Sequence, residues 1–93
     1  MIQRVVLLNT KPEANKKAIM EETKRFLPPI HGVKSLQIGK ISDNENYNIG
    51  IIILFESLKT QEKFGSHPDH REYVDNFLKP KINNIAAYNI ELF

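Results

Sequence analysis

The strongest pattern along the chain is a pair of apolar runs that show no alternation with polar positions. The first run covers residues 5–8, inside a segment rich in β-branched residues that begins at Ile2, and the second covers Ile49–Phe55. Strands that are buried on both faces have this pattern, whereas strands with one solvated face alternate. The sequence therefore predicts two central strands, over residues 2–8 and 47–55.

Two other segments alternate between apolar and polar residues. In residues 34–41 the apolar positions are Leu36, Ile38 and Ile41, and in residues 85–93 Tyr88, Ile90 and Leu92 fall on one side. Alternation of this kind is typical of a strand with one exposed face. We predict a half-exposed edge strand at residues 34–41, a hairpin loop at residues 43–46 and a last strand at residues 85–93.

The spacing between the strands predicts two helical regions. Asn15 is a suitable N-cap for the first helix, and the two prolines at 28 and 29 end it. Its apolar positions follow helical spacing: Ile19, Met20, Thr23, Phe26, Leu27 and Ile30. The second region begins near Leu58, is interrupted by Gly65 and Pro68, resumes with Ser66 or His67 as its cap, and ends at Pro80.

The predicted order is strand, helix, strand, strand, helix, strand, which is the ferredoxin-like arrangement of an α+β protein. We expect one domain over residues 1–93, with an antiparallel four-stranded sheet and both helical regions on one face. The other face would then expose large aliphatic side chains of both central strands. We therefore expect a homodimer in which two sheets face each other and form an α/β barrel. A monomer with a well-packed β-region is the alternative.

Composition narrows the function classes. Thirteen Lys and Arg against eleven Asp and Glu give a net charge of +2, too weak and too mixed for nucleic-acid binding. The absence of cysteine excludes disulfides, thiolate zinc sites and a cysteine nucleophile. No segment has the pattern of a secretory signal or the length of a membrane span. We expect a cytoplasmic protein with no nucleic-acid or membrane partner.

Several blocks of the sequence resemble the stress-responsive dimeric α/β-barrel family. The clearest is the His-Pro-x-His element in residues 65–70, followed by Tyr73-Val74 and residues 78–80. The other matching blocks are residues 2–11, 30–33 and 47–56. The resemblance covers nearly the whole chain. It implies a ferredoxin-like subunit and a homodimer whose two sheets form a barrel, which agrees with the expectation from the apolar runs.

The resemblance also implies a range of functions, because many members of this family have no assigned activity. Some plant members are polyketide cyclases, which use a pocket between sheet and helices, a tyrosine before the His-Pro-x-His element, and the second histidine of that element. In this chain the second histidine is His70, but the tyrosine position holds Phe64. A histidine that is common in the first strand of the family is replaced by Arg4. A phenyl ring cannot protonate an enolate, and a guanidinium is not a base at neutral pH.

Candidate site residues follow from helical spacing and from this resemblance. His70 is the candidate catalytic acid or base, and its alternative is a structural histidine bonded to a backbone carbonyl. Candidate ligand-binding residues are Arg4, Phe26, Phe64, His67, Tyr73 and Phe77. The aromatic residues among them could equally fill the core, and His67 is better explained as a cap. Arg4 could bind a ligand anion if it faces the helices, but we favour the alternative that it reaches water near the strand's start.

Two function classes remain. The first is a small homodimer that binds a small hydrophobic molecule or has a structural role, without chemistry of its own. The second is a cofactor-free enzyme, similar to a polyketide cyclase or a monooxygenase, that acts on a hydrophobic carbonyl compound with His70 as acid or base. Because no nucleophilic triad, phosphate loop or metal-ligand set is present, we favour the first class and expect no cofactor and no metal.

Overall fold

The computed structural model describes all residues, Met1–Phe93, and its centre is a four-stranded antiparallel sheet. The strands are β1 (Ile2–Thr10), β2 (Ser35–Lys40), β3 (Ile49–Phe55) and β4 (Ile82–Glu91), and their spatial order is β2-β3-β1-β4. The two segments with uninterrupted apolar runs therefore form the two central strands, as predicted. Residues 34–41 supply the predicted edge strand. The fold is ferredoxin-like.

The helices lie between the strands as the capping signals predict. Helix α1 (Lys16–Phe26) starts at Asn15, whose side-chain oxygen accepts a 3.0 Å hydrogen bond from the Ala18 amide. Helix α2 (Leu58–Ser66) continues through Gly65, so this glycine does not interrupt it. None of the helices could cross a lipid bilayer.

The second helical region breaks at His67 and not at Gly65. His67 has an extended backbone, which the following proline favours, and its Nδ1 accepts a 3.1 Å hydrogen bond from the Asp69 amide. His67 is therefore the cap of helix α3 (Pro68–Glu72). This helix continues as a π-helical turn (Tyr73–Leu78) and a short 3-10 turn (Lys79–Lys81) that leads directly into β4.

The core lies between the helices and one face of the sheet. Strand register pairs Val6 with Ile51 and Arg4 with Ile53, so these residues share the face that the helices cover. The fully buried side chains of this layer include Leu8, Ile49 and Phe55. Residues of even number in β1 and of odd number in β3 therefore point toward the helices.

The opposite face of the sheet has no covering element, and we call it the open face. In the central strands its apolar side chains are Val5, Leu7, Ile52 and Leu54, which are half-buried by their neighbours in the sheet. On β4, Tyr88 is 60% exposed. The two central strands thus carry apolar side chains on both faces, which explains the absence of alternation in their sequences.

Candidate functional site: a cavity between the sheet and the second helical region

A cavity of about 160 Å³ lies between the helix-covered face of the sheet and the helical region that follows β3. Ten of its twelve lining residues are hydrophobic, and the two polar ones are Arg4 and His70. The hydrophobic lining residues are Val6, Leu27, Ile51, Ile53, Phe64, Tyr73, Val74, Leu78, Ile85 and Ala87. Ile85 and Ala87 are exposed, so the cavity opens toward β4.

His70 is fixed in one orientation at the wall of this cavity. Its Nδ1 lies 3.0 Å from the carbonyl oxygen of Gly65, and its ring packs against Phe64 with 4.5 Å between ring centroids. Because a carbonyl oxygen only accepts hydrogen bonds, Nδ1 carries the proton. In the neutral ring, Nε2 then holds a free lone pair. That nitrogen is the one that can take a proton from a bound molecule.

The protonation state of His70 follows from its surroundings. Burial lowers the pKa of His70 below its usual range, and the positive charges of Arg4 and Arg71 lower it further. The hydrogen bond to Gly65 and the negative charge of Asp75 act in the opposite direction but do not cancel the shift. His70 is therefore a neutral imidazole at neutral pH, which is the form that a general base requires.

Arg4 faces the helices and not the open face, because it lies two residues from Val6 on the same side of β1. Its Nη1 donates a 2.9 Å hydrogen bond to the side-chain oxygen of Asn89, and the amide nitrogen of Asn89 donates to Gln61 at 3.0 Å. The guanidinium is half-buried and lines the cavity. Arg4 thus has the orientation that could meet a ligand, and its hydrogen bond to Asn89 lies at an exposed position, so the guanidinium also reaches water. A ligand contact by Arg4 stays a prediction.

Tyr73 contributes a wall of the cavity, but its proton points elsewhere. Its hydroxyl is hydrogen-bonded to the hydroxyl of Thr23 on α1, and the Thr23 hydroxyl donates a 2.7 Å hydrogen bond to the carbonyl oxygen of Ile19. Since the single proton of Thr23 goes to that carbonyl, Tyr73 donates its own proton to Thr23. Burial raises the pKa of Tyr73. This hydroxyl therefore joins α1 to the second helical region and does not supply an acid to the cavity.

Three of the residues predicted as ligand contacts lie outside the cavity lining. His67 caps α3, and Phe26, which is 43% exposed, lines a separate surface cleft with Arg25, Pro29, Ile30 and Asp69. Phe77 stacks on Tyr73 at 5.5 Å and lies 4.0 Å below the ammonium group of Lys81. The structure thus brings together Arg4, Phe64, His70 and Tyr73, while any ligand contact by the other three stays a prediction.

The π-helical turn explains why Phe77 does not reach the cavity. An α-helix would place His70, Tyr73, Val74 and Phe77 on one stripe. The wider turn over Tyr73–Leu78 rotates the later residues, so that Leu78 lines the cavity in place of Phe77. Single π-turns inside helices occur often at functional sites.

Sequence reasoning missed most of the apolar lining, including Val6, Ile51 and Ile53. The missing information was the face toward which each central strand points, because both faces of these strands are apolar. The burial of Ile2 and Leu8 in the structure shows that the even-numbered residues of β1 face the helices. No group of three or more His, Asp and Glu side chains is arranged to hold a metal ion.

These features define a class of protein: a ferredoxin-like α+β chain with an apolar cavity between sheet and helices and one histidine in its wall. The family model described as Stress responsive A/B Barrel Domain, Dabb, matches residues 2–92. The chain therefore belongs to the Dabb family, as its His-Pro-x-His element and the other matching blocks indicate.

Solved structures with the same fold agree with this assignment. A Dabb family protein with a ferredoxin-like fold from Mesorhizobium loti is 21% identical, with a TM-score of 0.88, and the match covers 99% of this chain and 96% of that chain. A dimeric ferredoxin-like protein of unknown function from Thermobifida fusca is 16% identical, with a TM-score of 0.81 and coverage of 98% and 90%. A hydroxynitrile lyase from Passiflora edulis is 17% identical, with a TM-score of 0.83 and coverage of 99% and 93%. Among curated proteins, none matches this sequence.

Proposed function

We propose that residues 1–93 act as one domain that forms a homodimer and binds a small, mainly apolar molecule in the cavity beside His70. The observation that carries this proposal is the composition of the cavity wall, which is hydrophobic except for Arg4 and His70. Binding sites for small molecules have this character, with a few polar groups that fix the orientation of the ligand.

The hydrophobic wall of the cavity supports the same proposal. The cavity opens toward β4, so water that enters it meets a hydrophobic wall in which only Arg4 and His70 offer polar side chains. A chain of 93 residues has little stability to lose. An apolar ligand that fills this space restores the missing contacts and therefore stabilises the fold.

The open face supports the homodimer. It carries apolar side chains from both central strands and from β4, and none of the helices and strands in residues 1–93 covers it. A second copy of the same sheet is complementary in size and in polarity. The neighbour from Thermobifida fusca and two further structural neighbours are described as dimeric.

A second candidate function is acid-base chemistry at His70. The observation that favours it is the hydrogen bond to Gly65, which fixes the tautomer and leaves Nε2 unprotonated. This nitrogen could remove a proton from a carbonyl compound or a related substrate without a cofactor, and Arg4 could stabilise the negative charge that develops. One structural neighbour is a hydroxynitrile lyase, an enzyme with the same fold.

Thermal unfolding in the presence of small apolar molecules tests the binding proposal. Ala87 lies at the exposed mouth of the cavity, so Ala87→Phe fills the entrance, and Ala87→Ser is a matched control that keeps it open. We expect some ligands to raise the Tm of the wild-type chain and of Ala87→Ser, but not of Ala87→Phe. Equal stabilisation of all three chains would place the binding elsewhere and contradict the proposal.

The enzyme candidate is tested with small carbonyl compounds that raise the Tm in the same assay. We expect His70→Asn to keep binding, because the side-chain amide of asparagine takes the position of Nδ1 and can donate a hydrogen bond to the Gly65 carbonyl but has no basic nitrogen. Loss of turnover with preserved binding would support a general base. Turnover that is unchanged in His70→Asn would remove the enzyme candidate and leave the binding function.

A further inference from the structure

We propose that Arg4 makes the cavity selective for a small monocarboxylate whose apolar part has about the size of one aromatic ring. This inference rests on the proposed binding function and adds the chemical class of the ligand. It follows from the unused hydrogen-bonding capacity of Arg4, from the way its head group is held, and from the size and lining of the cavity.

Arg4 has donors that no protein group uses. A guanidinium has five N–H groups, and the only side-chain hydrogen bond of Arg4 is the one to Asn89. The Lys and Arg side chains that form ion pairs are Lys17, Arg25 and Lys79, and Arg4 is not among them. A half-buried cation without a counter-ion has lost part of its hydration, so an anion that enters the cavity would gain a charge-assisted hydrogen bond from Arg4.

The guanidinium is held in place before any ligand binds. Asn89 uses its side-chain oxygen for Arg4 and its side-chain nitrogen for Gln61, which is itself buried. This network joins β1, β4 and α2, and its hydrogen bond to Arg4 favours the orientation in which the guanidinium lines the cavity. A pre-positioned donor loses less entropy on binding than a mobile one.

The electrostatic surroundings also favour an anion. Asp75, the acid whose charge acts on His70, does not line the cavity, and its carboxylate forms an ion pair with Lys79 at 3.3 Å. No Asp or Glu is among the lining residues. The charged group in the wall is therefore a cation that no neighbouring acid neutralises.

The cavity limits the size and the charge of this anion. Its volume of about 160 Å³ is close to that of an engineered protein cavity of about 150 Å³ that binds benzene. One guanidinium matches one carboxylate, and the apolar wall offers no further cations for a doubly charged phosphate. The ligand class is therefore a monocarboxylate with a compact apolar body.

Calorimetric titration with benzoate and benzamide tests this inference, because the two probes share a ring and differ in charge. We expect the wild-type chain to bind benzoate at least about tenfold more tightly than benzamide, as one charge-assisted hydrogen bond provides. Arg4→Met should abolish this preference, and Arg4→Gln, which can still bond to Asn89, should do the same. Arg71→Met is the control, because Arg71 acts on His70 but does not line the cavity.

The outcomes separate this inference from the proposed function. Equal affinity for the two probes, or a preference for benzoate that persists in both Arg4 variants, would overturn the carboxylate inference and leave a cavity for neutral ligands. Binding of neither probe at millimolar concentration would overturn both. A preference that is lost in both Arg4 variants and kept in Arg71→Met would support the inference.

Discussion

The open face provides the sharpest prediction about assembly, and Ile52 lies at its centre. Ile52 is paired with Val5 on β1 and with Gln37 on β2, and its side chain points away from the helices. We expect Ile52→Asp to abolish dimer formation, because a carboxylate at this position is solvated in the free chain and buried in a sheet-to-sheet dimer. Ile51→Asp would instead disrupt the core and test nothing about assembly, since Ile51 is only 2% exposed in the single chain.

The expected magnitude follows from the side chains on this face. Full burial of a large aliphatic side chain contributes about 1.5 to 3 kcal/mol, and the four half-buried side chains of the central strands still have about half of that to gain, or about 3 to 6 kcal/mol per copy. Desolvation of an unpaired carboxylate costs at least about 3 kcal/mol, and the substitution occurs twice in a symmetric dimer. The dimer Kd should therefore rise by about four orders of magnitude.

Sedimentation equilibrium over a range of concentrations measures this effect. We expect the wild-type chain to sediment at low micromolar concentration with twice its chain mass of 10.8 kDa. Ile52→Asp should lose this species, and Ile52→Thr, which keeps a β-branched side chain, should weaken it by roughly thirtyfold. Ser42→Asp, in an exposed loop, is the control. An Ile52→Asp chain that dimerises as tightly as the wild type would refute the reasoning.

Two further predictions concern buried polar groups. Thr23→Val leaves the buried Tyr73 hydroxyl without its partner, so it should lower the free energy of unfolding by about 1 to 3 kcal/mol in urea titrations. Adding Tyr73→Phe removes the unpaired hydroxyl and should recover most of this loss. A double variant that is no more stable than Thr23→Val would argue against this bond. His70 has a lowered pKa in the fold, so the wild-type chain should lose stability relative to His70→Gln as the pH falls below about 6.5, the unfolded value. The groups that act on His70 are Arg4 from β1, the Gly65 carbonyl from α2, and Arg71 and Asp75 from its own helical region. If the stability of the two chains had the same pH dependence, the lowered pKa of His70 would be contradicted.

The strand order could be predicted from the sequence because burial on both faces leaves a direct mark on it. The runs at residues 5–8 and Ile49–Phe55 identified the central strands, and Asn15 marked the start of α1 correctly. The predicted start of β4 at residue 85 is wrong, because the strand begins at Ile82. The reason is that β4 is an edge strand with little burial, so its polar residues Asn83 and Asn84 resemble a loop.

The candidate site could be predicted only in part, because it depends on orientation. A local motif predicts that His70 and Phe64 belong to the site, because residues so near in sequence have a fixed position relative to each other. The direction of Arg4 could not be found, since a strand with two apolar faces gives no parity signal. The π-helical turn that excludes Phe77 also leaves no mark in the spacing of apolar residues. These two features, one of parity and one of helical geometry, decide which side chains meet in the cavity.

Methyl-detected NMR during a titration with benzoate tests the central claim, that the space beside His70 is a binding site, most directly. Neighbouring residues on the strands provide an internal control, because Val6 and Ile53 line the cavity while Val5 and Ile52 lie on the open face. We expect the methyl signals of Val6, Ile53 and Leu78 to shift together and saturate with one Kd, while those of Val5 and Ile52 stay unchanged. Shifts confined to the open face, or no saturable shift at any cavity methyl group, would contradict the account.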